Sequence, residues 1–298
     1  MFVHGSKEDK VNEILTKTGL DFTIHKEQMT TEFGGKVIPT PYFALINGKS
    51  GEVINSVKSG YTISQNDEIV SMVVDGMANF GSKLSIQNGG SLNGGKRVFL
   101  QMAIEGNAKV GSDILKRFVT IVDSNDGSSG LSVGVGDLTM SCSNQFFMFS
   151  KLGQSRFRHT ATIEHRIKEI PQLIQNALAE SLKLVELYNA FQSTPCSREL
   201  AHKMVNHLLG FDKTSLSIKE FADLSSKSEN AMNSLYDNIE HQMNDKGLNL
   251  WGLHSGVTRW TTHSKRAPKR ENGRIESSMM STNYKANHQS LQFMLEHM

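Results

Sequence analysis

Between Arg156 and Lys168 the chain gathers Arg156, Arg158, His159, His165, Arg166 and Lys168 around Phe157. Cations so closely spaced can neutralise successive phosphates, and the first amides of a following helix add anion contacts. Phe157 and Phe99 offer faces on which splayed bases can stack, worth ~1–3 kcal/mol per base. A second basic set, Arg259, Lys265, Arg266, Lys269, Arg270 and Arg274, is opposed only by Glu271 and Glu276. The competing reading of either set is a solvated surface, since charged loops often serve solubility alone.

Other side chains suggest other chemistry. Asp123, Asp126, Glu105 and His159 form a donor set suited to Mg²⁺ or Mn²⁺, as a metal-dependent nuclease would need. Asn125-Asp126-Gly127 is better explained as a turn, because Asn and Asp tolerate left-handed backbone and Gly lacks a side chain. Cys142 with His159 would be a nucleophile and its base, but Cys142 follows an apolar stretch, where a thiol pKa rises. Asn88-Gly89-Gly90 and Asn93-Gly94-Gly95 resemble a phosphate loop only superficially. No Gly-Lys-Ser/Thr follows, and the flanks read as strands.

The elements that must position these residues begin with a β-hairpin, Tyr42 to Ile46 and Glu52 to Val57, closed at Asn47-Gly48. Ser64 with Asp67 predicts a helix start ahead of Ile69, Val70, Val73, Val74 and Met77. Lys83 to Gln87 and Arg97 to Glu105 flank one Gly-rich turn, and Phe118 to Asp123 and Leu131 to Val135 flank another, so both pairs read as antiparallel. Val98 to Ala103 and Val119 to Val122 hardly alternate, which predicts central strands covered on both faces or set against helices. From Thr162 the spacing turns helical through Phe191, with Pro171 either kinking this helix or starting a second one. Ser217 with Glu220 predicts a further capping box before Phe221 and Leu224. Ser264 to Glu276 lacks apolar anchors and reads as a mobile basic loop before a closing segment, Tyr284 to Met298.

The 298 residues can bury a sizeable core, and a net charge of +2 makes any polyanion surface a local patch. Two cysteines, Cys142 and Cys196, argue against a disulfide scaffold and fit a reducing compartment. A signal-peptide core and a membrane-length apolar run are both missing from the sequence, so a soluble cytoplasmic protein is expected.

In order and spacing, Gly60-Tyr61-Thr62 with Gln65-Asn66, Gly90-Ser91-Leu92 with Gly94-Gly95, and Arg97-Val98-Phe99 match one family. So do Asn125-Asp126-Gly127-Ser128, Cys142-Ser143-Asn144, Arg158-His159-Thr160, Trp251-Gly252-Leu253 and Val257-Thr258. On these the chain resembles the phage/plasmid-like family catalogued as domain-of-unknown-function family 932. Leu138-Thr139-Met140-Ser141-Cys142 departs from the family's usual Arg-Val-Val-Cys strand and loses a basic residue. The resemblance implies the biology of a mobile element and a bacterial host cell, and it implies no reaction.

The expected fold is α+β: an N-terminal, mostly antiparallel sheet lobe with a helix, then a helical C-terminal lobe. Residues 1–40 are expected to form an N-terminal arm, 41–160 the sheet domain, and 161–298 a helical region with the basic loop at 264–276. The leading functional expectation is a non-enzymatic nucleic-acid-binding protein that binds or anneals single-stranded DNA in replication or recombination, without cofactor, metal or membrane. Its site is Arg156, Phe157, Arg158, His159, Arg166 and Lys168, with Lys265, Arg266, Lys269, Arg270 and Arg274 as a clamp. By fold-level analogy with annealing proteins a homo-oligomer is expected. The alternatives are a protein interaction module with no nucleic-acid role, and a metal-dependent nuclease using Asp123 and Asp126.

Overall fold

A computed structural model describes residues 5–127, 130–148, 156–211, 226–266, 269 and 273–298. The predicted capping box at Ser217 and Glu220 lies outside the described residues. The fold is α+β, with antiparallel sheets in the N-terminal half and helices in the C-terminal half.

Of the first forty residues, expected to lie as an arm, Lys7–Thr18 form helix α1. Its Val11 and Leu15 enter the main core. Strands β1 (Ile24–Phe33), β2 (Lys36–Asn47) and β3 (Val53–Lys58) follow as a three-stranded antiparallel sheet. The expected hairpin at Asn47-Gly48 is the β2–β3 turn. Beyond Tyr42, β1 and β2 project as a two-stranded ribbon that is mostly exposed on both faces. Phe33 is 79 % and Val37 70 % exposed on it. Pro39 and Pro41 lack the N–H that a further strand would need, which suits a sheet margin.

Helix α2 (Asn66–Ala78) starts one residue later than predicted, with Gln65 and Glu68 as its capping box. Ser64 is not the cap because its hydroxyl is committed to Asp123. The large sheet follows: β4 (Leu84–Leu92), β5 (Arg97–Ile104), β6 (Ala108–Val110), β7 (Asp113–Ser124), β8 (Leu131–Thr139), β9 (Gln145–Met148) and β10 (Arg156–Phe157). The main path runs β10-β8-β7-β5-β4, every pair antiparallel, with β6 beside β7 and β9 beside β8. The first Gly-rich turn is narrower than predicted. Asn88 to Leu92 stay in β4 across a register shift, and the turn is Asn93 to Lys96, with Asn93, Gly94 and Gly95 at positive φ.

Period-two alternation gives the large sheet two faces. On one, Val98, Leu100 and Met102 of β5, Val119 and Ile121 of β7 and Val133 and Val135 of β8 pack with α2 and α4. Burying each such side chain contributes roughly 1.5–3 kcal/mol. On the other, Leu92, Phe99, Val122 and Phe147 form a smaller core under Met279. The unalternating strands are therefore covered on both faces along part of their length.

After β10 come α3 (Ile163–Ile167) and α4 (Ile170–Ser193), so Pro171 starts a second helix in the first turn of α4. Helices α5 (Arg198–Leu209), α6 (Ser226–Lys246), α7 (Leu250–Arg259), α8 (Gly273–Met280) and α9 (Thr282–Glu296) complete the described chain, with a π-type turn at Trp260–Ser264. Gly252 and Gly256 let α7 lie against α6. A Cβ on Gly256 would stand 2.3 Å from the Ile239 Cα. The helices are stitched to the sheet by Tyr188, whose hydroxyl donates to Asp137 at 2.8 Å, and by Trp251, whose indole donates to Asp113 at 2.8 Å. His254 lies among Phe146, Tyr188 and Trp251, and burial pushes its pKa down to about 3.

The predicted loop 264–276 is partly helix, since Arg274 and Glu276 belong to α8. The apolar residues that order this segment are Ile275 and Met279, one helical turn apart on the second core. Ile275 is an apolar anchor inside the predicted loop, and Met279 lies just past it.

Candidate functional site

Asp123, next to last in β7 and opposite Val98, points to the helix-covered face with its side chain 1 % exposed. Ser64, in the approach to α2, donates its hydroxyl to one carboxylate oxygen at 2.5 Å. His159, just past β10, places Nε2 2.8 Å from the other. The His159 Nδ1 stands 3.2 Å from the Thr62 carbonyl, so both ring nitrogens face acceptors. Burial acts to lower the His159 pKa, but the Asp123 carboxylate and the Thr62 carbonyl outweigh it and the pKa is raised.

Tyr61 closes the arrangement. Its ring stacks on His159 with centroids 4.7 Å apart, and its hydroxyl donates to the Ser124 carbonyl at 3.1 Å. Burial, followed by the negative charges of Asp123 and Asp126, drives the Tyr61 pKa far up. Beside it, Asp126 accepts from the Ser124 hydroxyl at 2.8 Å and lies 3.6 Å from the Arg97 guanidinium. Arg97 also donates to Glu276 of α8. Tyr61-Thr62, Arg97, Asn125-Asp126 and Arg158-His159 are distant in sequence, and they meet at this corner.

That corner rearranges several expectations. His159 is 7 % exposed and hydrogen-bonded on both sides, so it pins β10 to β7 and presents nothing to a base. The nuclease set does not assemble: Asp123 and Asp126 are engaged as described. Glu105 follows the far end of β5, seven residues past the Val98 that pairs Asp123, roughly 23 Å along the strand. Cys142 lies in the turn after β8, beyond the end of the strand opposite to Leu131, which pairs Phe157, so it is also far from His159. Its segment is a turn where a strand was expected, because Ser143 takes a left-handed φ of 55°.

The basic residues divide. Arg156 pairs with Ser132 through the backbone of β10. Phe157 is half-buried, and the Arg166 guanidinium sits 5.4 Å over its ring, occupying a face expected to stack on a base. Arg166 also bonds Glu169 at 2.8 Å. Arg158, His165, Arg166 and Lys168 remain exposed. In the second set, Lys265 covers the Trp260 ring at 4.8 Å and donates to the Thr282 carbonyl at 3.1 Å. Burial lowers its pKa to about 8. Arg274 donates to the Thr262 carbonyl at 2.5 Å. Arg266 and Lys269 are exposed, and Arg270 lies outside the described residues.

Both sets border one edge of the large sheet. Strands β9 and β10 are hydrogen-bonded to the same strand, β8. Arg158, Arg166 and Lys168 leave from β10. The second set is held over β9 by the Gln145 amide, which donates to the Thr262 hydroxyl at 3.0 Å, and by Met279 on Phe147. Arg158, Arg166 and Lys168 are thus exposed beside β10, and Arg266 and Lys269 are exposed in the segment between Lys265 and Arg274, both of which are tied to the turn over β9.

Charge density in the sequence could not reveal Tyr61, Ser64, Arg97 and Glu276 as parts of this region. The usable signal was the set of short motifs around Tyr61, Arg97, Asp126 and His159, which share no chemistry until the fold brings them together.

Among the described residues no helix is long and apolar enough to cross a membrane, and no group of three His, Cys, Asp or Glu side chains could hold a metal ion. No curated protein and no solved structure matches the chain. A family model for a domain of unknown function, DUF932, matches residues 53–289, and the chain therefore belongs to that family.

Proposed function

We propose that the chain is a non-enzymatic nucleic-acid-binding protein of a phage or plasmid that acts in the bacterial cytoplasm, with single-stranded DNA as its partner in replication or recombination. The observation that carries this reading is the flanking of the β9–β10 edge by Arg158, Arg166, Lys168, Arg266 and Lys269. With a net charge of only +2, such a local concentration of cations is what attraction to a polyanion requires. Asp123 and Asp126, the acids a nuclease would use, are instead held by Ser64, His159, Ser124 and Arg97. The β1–β2 ribbon favours a homo-oligomer, since two strands with exposed Phe33 and Val37 are marginal alone in water.

The test is anisotropy of a labelled single strand, with and without Mg²⁺, comparing the protein with an Arg158→Ala, Lys168→Ala, Arg266→Ala, Lys269→Ala variant. Four lost phosphate contacts lower the slope of log affinity against log salt by about 3 for a single strand. The DNA is expected to stay intact. An unchanged slope removes these residues from the site, and cleaved DNA revives the nuclease alternative.

A further inference from the structure

Among the described residues, the face of the large sheet away from α2 and α4 is covered at one end, by α8 and Tyr284 of α9. Along the rest of it runs a groove of about 210 Å³ whose lining includes Asn88, Gln101, Lys116, Phe118, Gln145 and Phe147. Gly134 and Gly136 leave β8 without side chains on this face, opposite Thr120 and Phe118. A Cβ on Gly136 would stand 2.7 Å from the Phe146 carbonyl oxygen and 2.8 Å from the Phe147 ring, so the close approach of β9 requires glycine there.

The floor of the groove carries unmet hydrogen-bonding capacity. Gln101 is 8 % exposed, and its carboxamide makes no hydrogen bond to any described residue. Its cross-strand neighbour on the same face is Thr120, 0 % exposed and beneath the lining, whose hydroxyl also has no partner among the described residues. Buried side-chain amides are ordinarily hydrogen-bonded, and the Gln101 carboxamide in the groove lining is open to a ligand or ordered water. Above them, Asn88 and Gln145 add carboxamides that both donate and accept, Phe118 and Phe147 add aromatic faces, and Lys116 adds an exposed ammonium. Asp137 contributes the one carboxylate of the lining, and it is bonded to Tyr188 on the opposite face.

We infer that this groove binds a nucleobase with its phosphate: the base lies against Phe118 and Phe147, its edge is read by Gln101 with Asn88 or Gln145, and the phosphate faces Lys116. Carboxamides suit the mixed donors and acceptors of a base edge, and aromatic rings suit its π-face. The volume lies below the ~300–1,000 Å³ of sites for drug-sized ligands, which fits one nucleotide unit. As the base-reading part of single-strand binding, the inference rests on the proposed function. The same chemistry would serve a free mononucleotide.

The test compares a base-bearing oligonucleotide with an abasic one of equal length and charge. The full-length protein is expected to favour the base-bearing strand at least tenfold. Gln101→Leu with Thr120→Val is expected to bring that ratio close to one and leave the salt slope unaltered, whereas the four-alanine variant lowers the slope and keeps the ratio. Should the groove variant not fold, crosslinking of a 5-iodouracil oligonucleotide to the unaltered protein gives a second readout, with adducts expected on peptides holding Phe118 or Phe147. Equal affinity for both strands, a ratio that survives in the folded groove variant, or crosslinks confined to other peptides would overturn the groove and leave the proposed function standing. Absence of binding to any oligonucleotide would overturn the proposed function. Thymidine 5′-monophosphate then decides the groove: millimolar binding lost in the variant keeps it as a mononucleotide site, and no binding removes it.

Discussion

The carboxylates on one face of the large sheet and the Gln101–Thr120 pair on the other are held differently. On the helix-covered face the Asp123 carboxylate is met by Ser64 and His159, and Asp137 by Tyr188. On the other, the Thr120 hydroxyl is buried without a partner among the described residues, and Gln101 lines the groove with no hydrogen bond to any of them. A satisfied buried network fixes elements in place, and an unsatisfied pair holds binding capacity that the fold does not consume. The difference separates a structural corner from a candidate binding surface, although both lie on β5 and β7.

Removing the acceptor on the satisfied face should have the largest effect. Asp123→Ala leaves His159 and Ser64 buried without their shared partner, and a loss of about 3–5 kcal/mol in urea unfolding is expected. A loss below about 1 kcal/mol would show that the corner is not the tie described. The His159→Gln variant sharpens the point through pH. Because the folded pKa of His159 is raised, its contribution is full below the unfolded value of about 6.5 and is lost as pH rises through the folded value. The stability gap between the protein and His159→Gln should accordingly narrow as pH climbs from below about 6.5 through that higher range. A gap that widens over this range would contradict the imidazolium–carboxylate pairing.

The opposite face predicts the opposite sign. Thr120→Val removes an unpartnered hydroxyl with little change of shape, so unchanged or higher stability, by up to about 1 kcal/mol, is expected in thermal unfolding. A loss of about 2 kcal/mol would mean that Thr120 has a structural partner and that the two faces are alike. Away from the sheet, Phe33→Ser with Val37→Ser on the ribbon should leave the fold intact and reduce the assembly size seen by light scattering. An unaltered size would detach the ribbon from oligomerisation.

The α+β class and the main strand pairs were legible because hydrophobic periodicity and Gly-rich turns are local signals. The hairpin at Asn47-Gly48 and the pairing of β4 with β5 and β7 with β8 follow from them. Errors arose where a distant group claimed a local residue. Ser64 reads as a helix cap until Asp123 takes its hydroxyl, and Arg274 reads as loop until Met279 finds Phe147. Of the candidate site, the exposed cations were visible as composition, and the sequestering of His159 and the covering of Phe157 by Arg166 were not. Gln101 and Thr120 carried a faint signal as polar residues within apolar strands, but facing and satisfaction appear only once register and packing are known.

The central claim is tested most directly by the affinity of the unaltered protein for a labelled single strand across a salt series. Binding that weakens steeply with salt, with a slope of several units, is the predicted result. No detectable binding at low salt would contradict it.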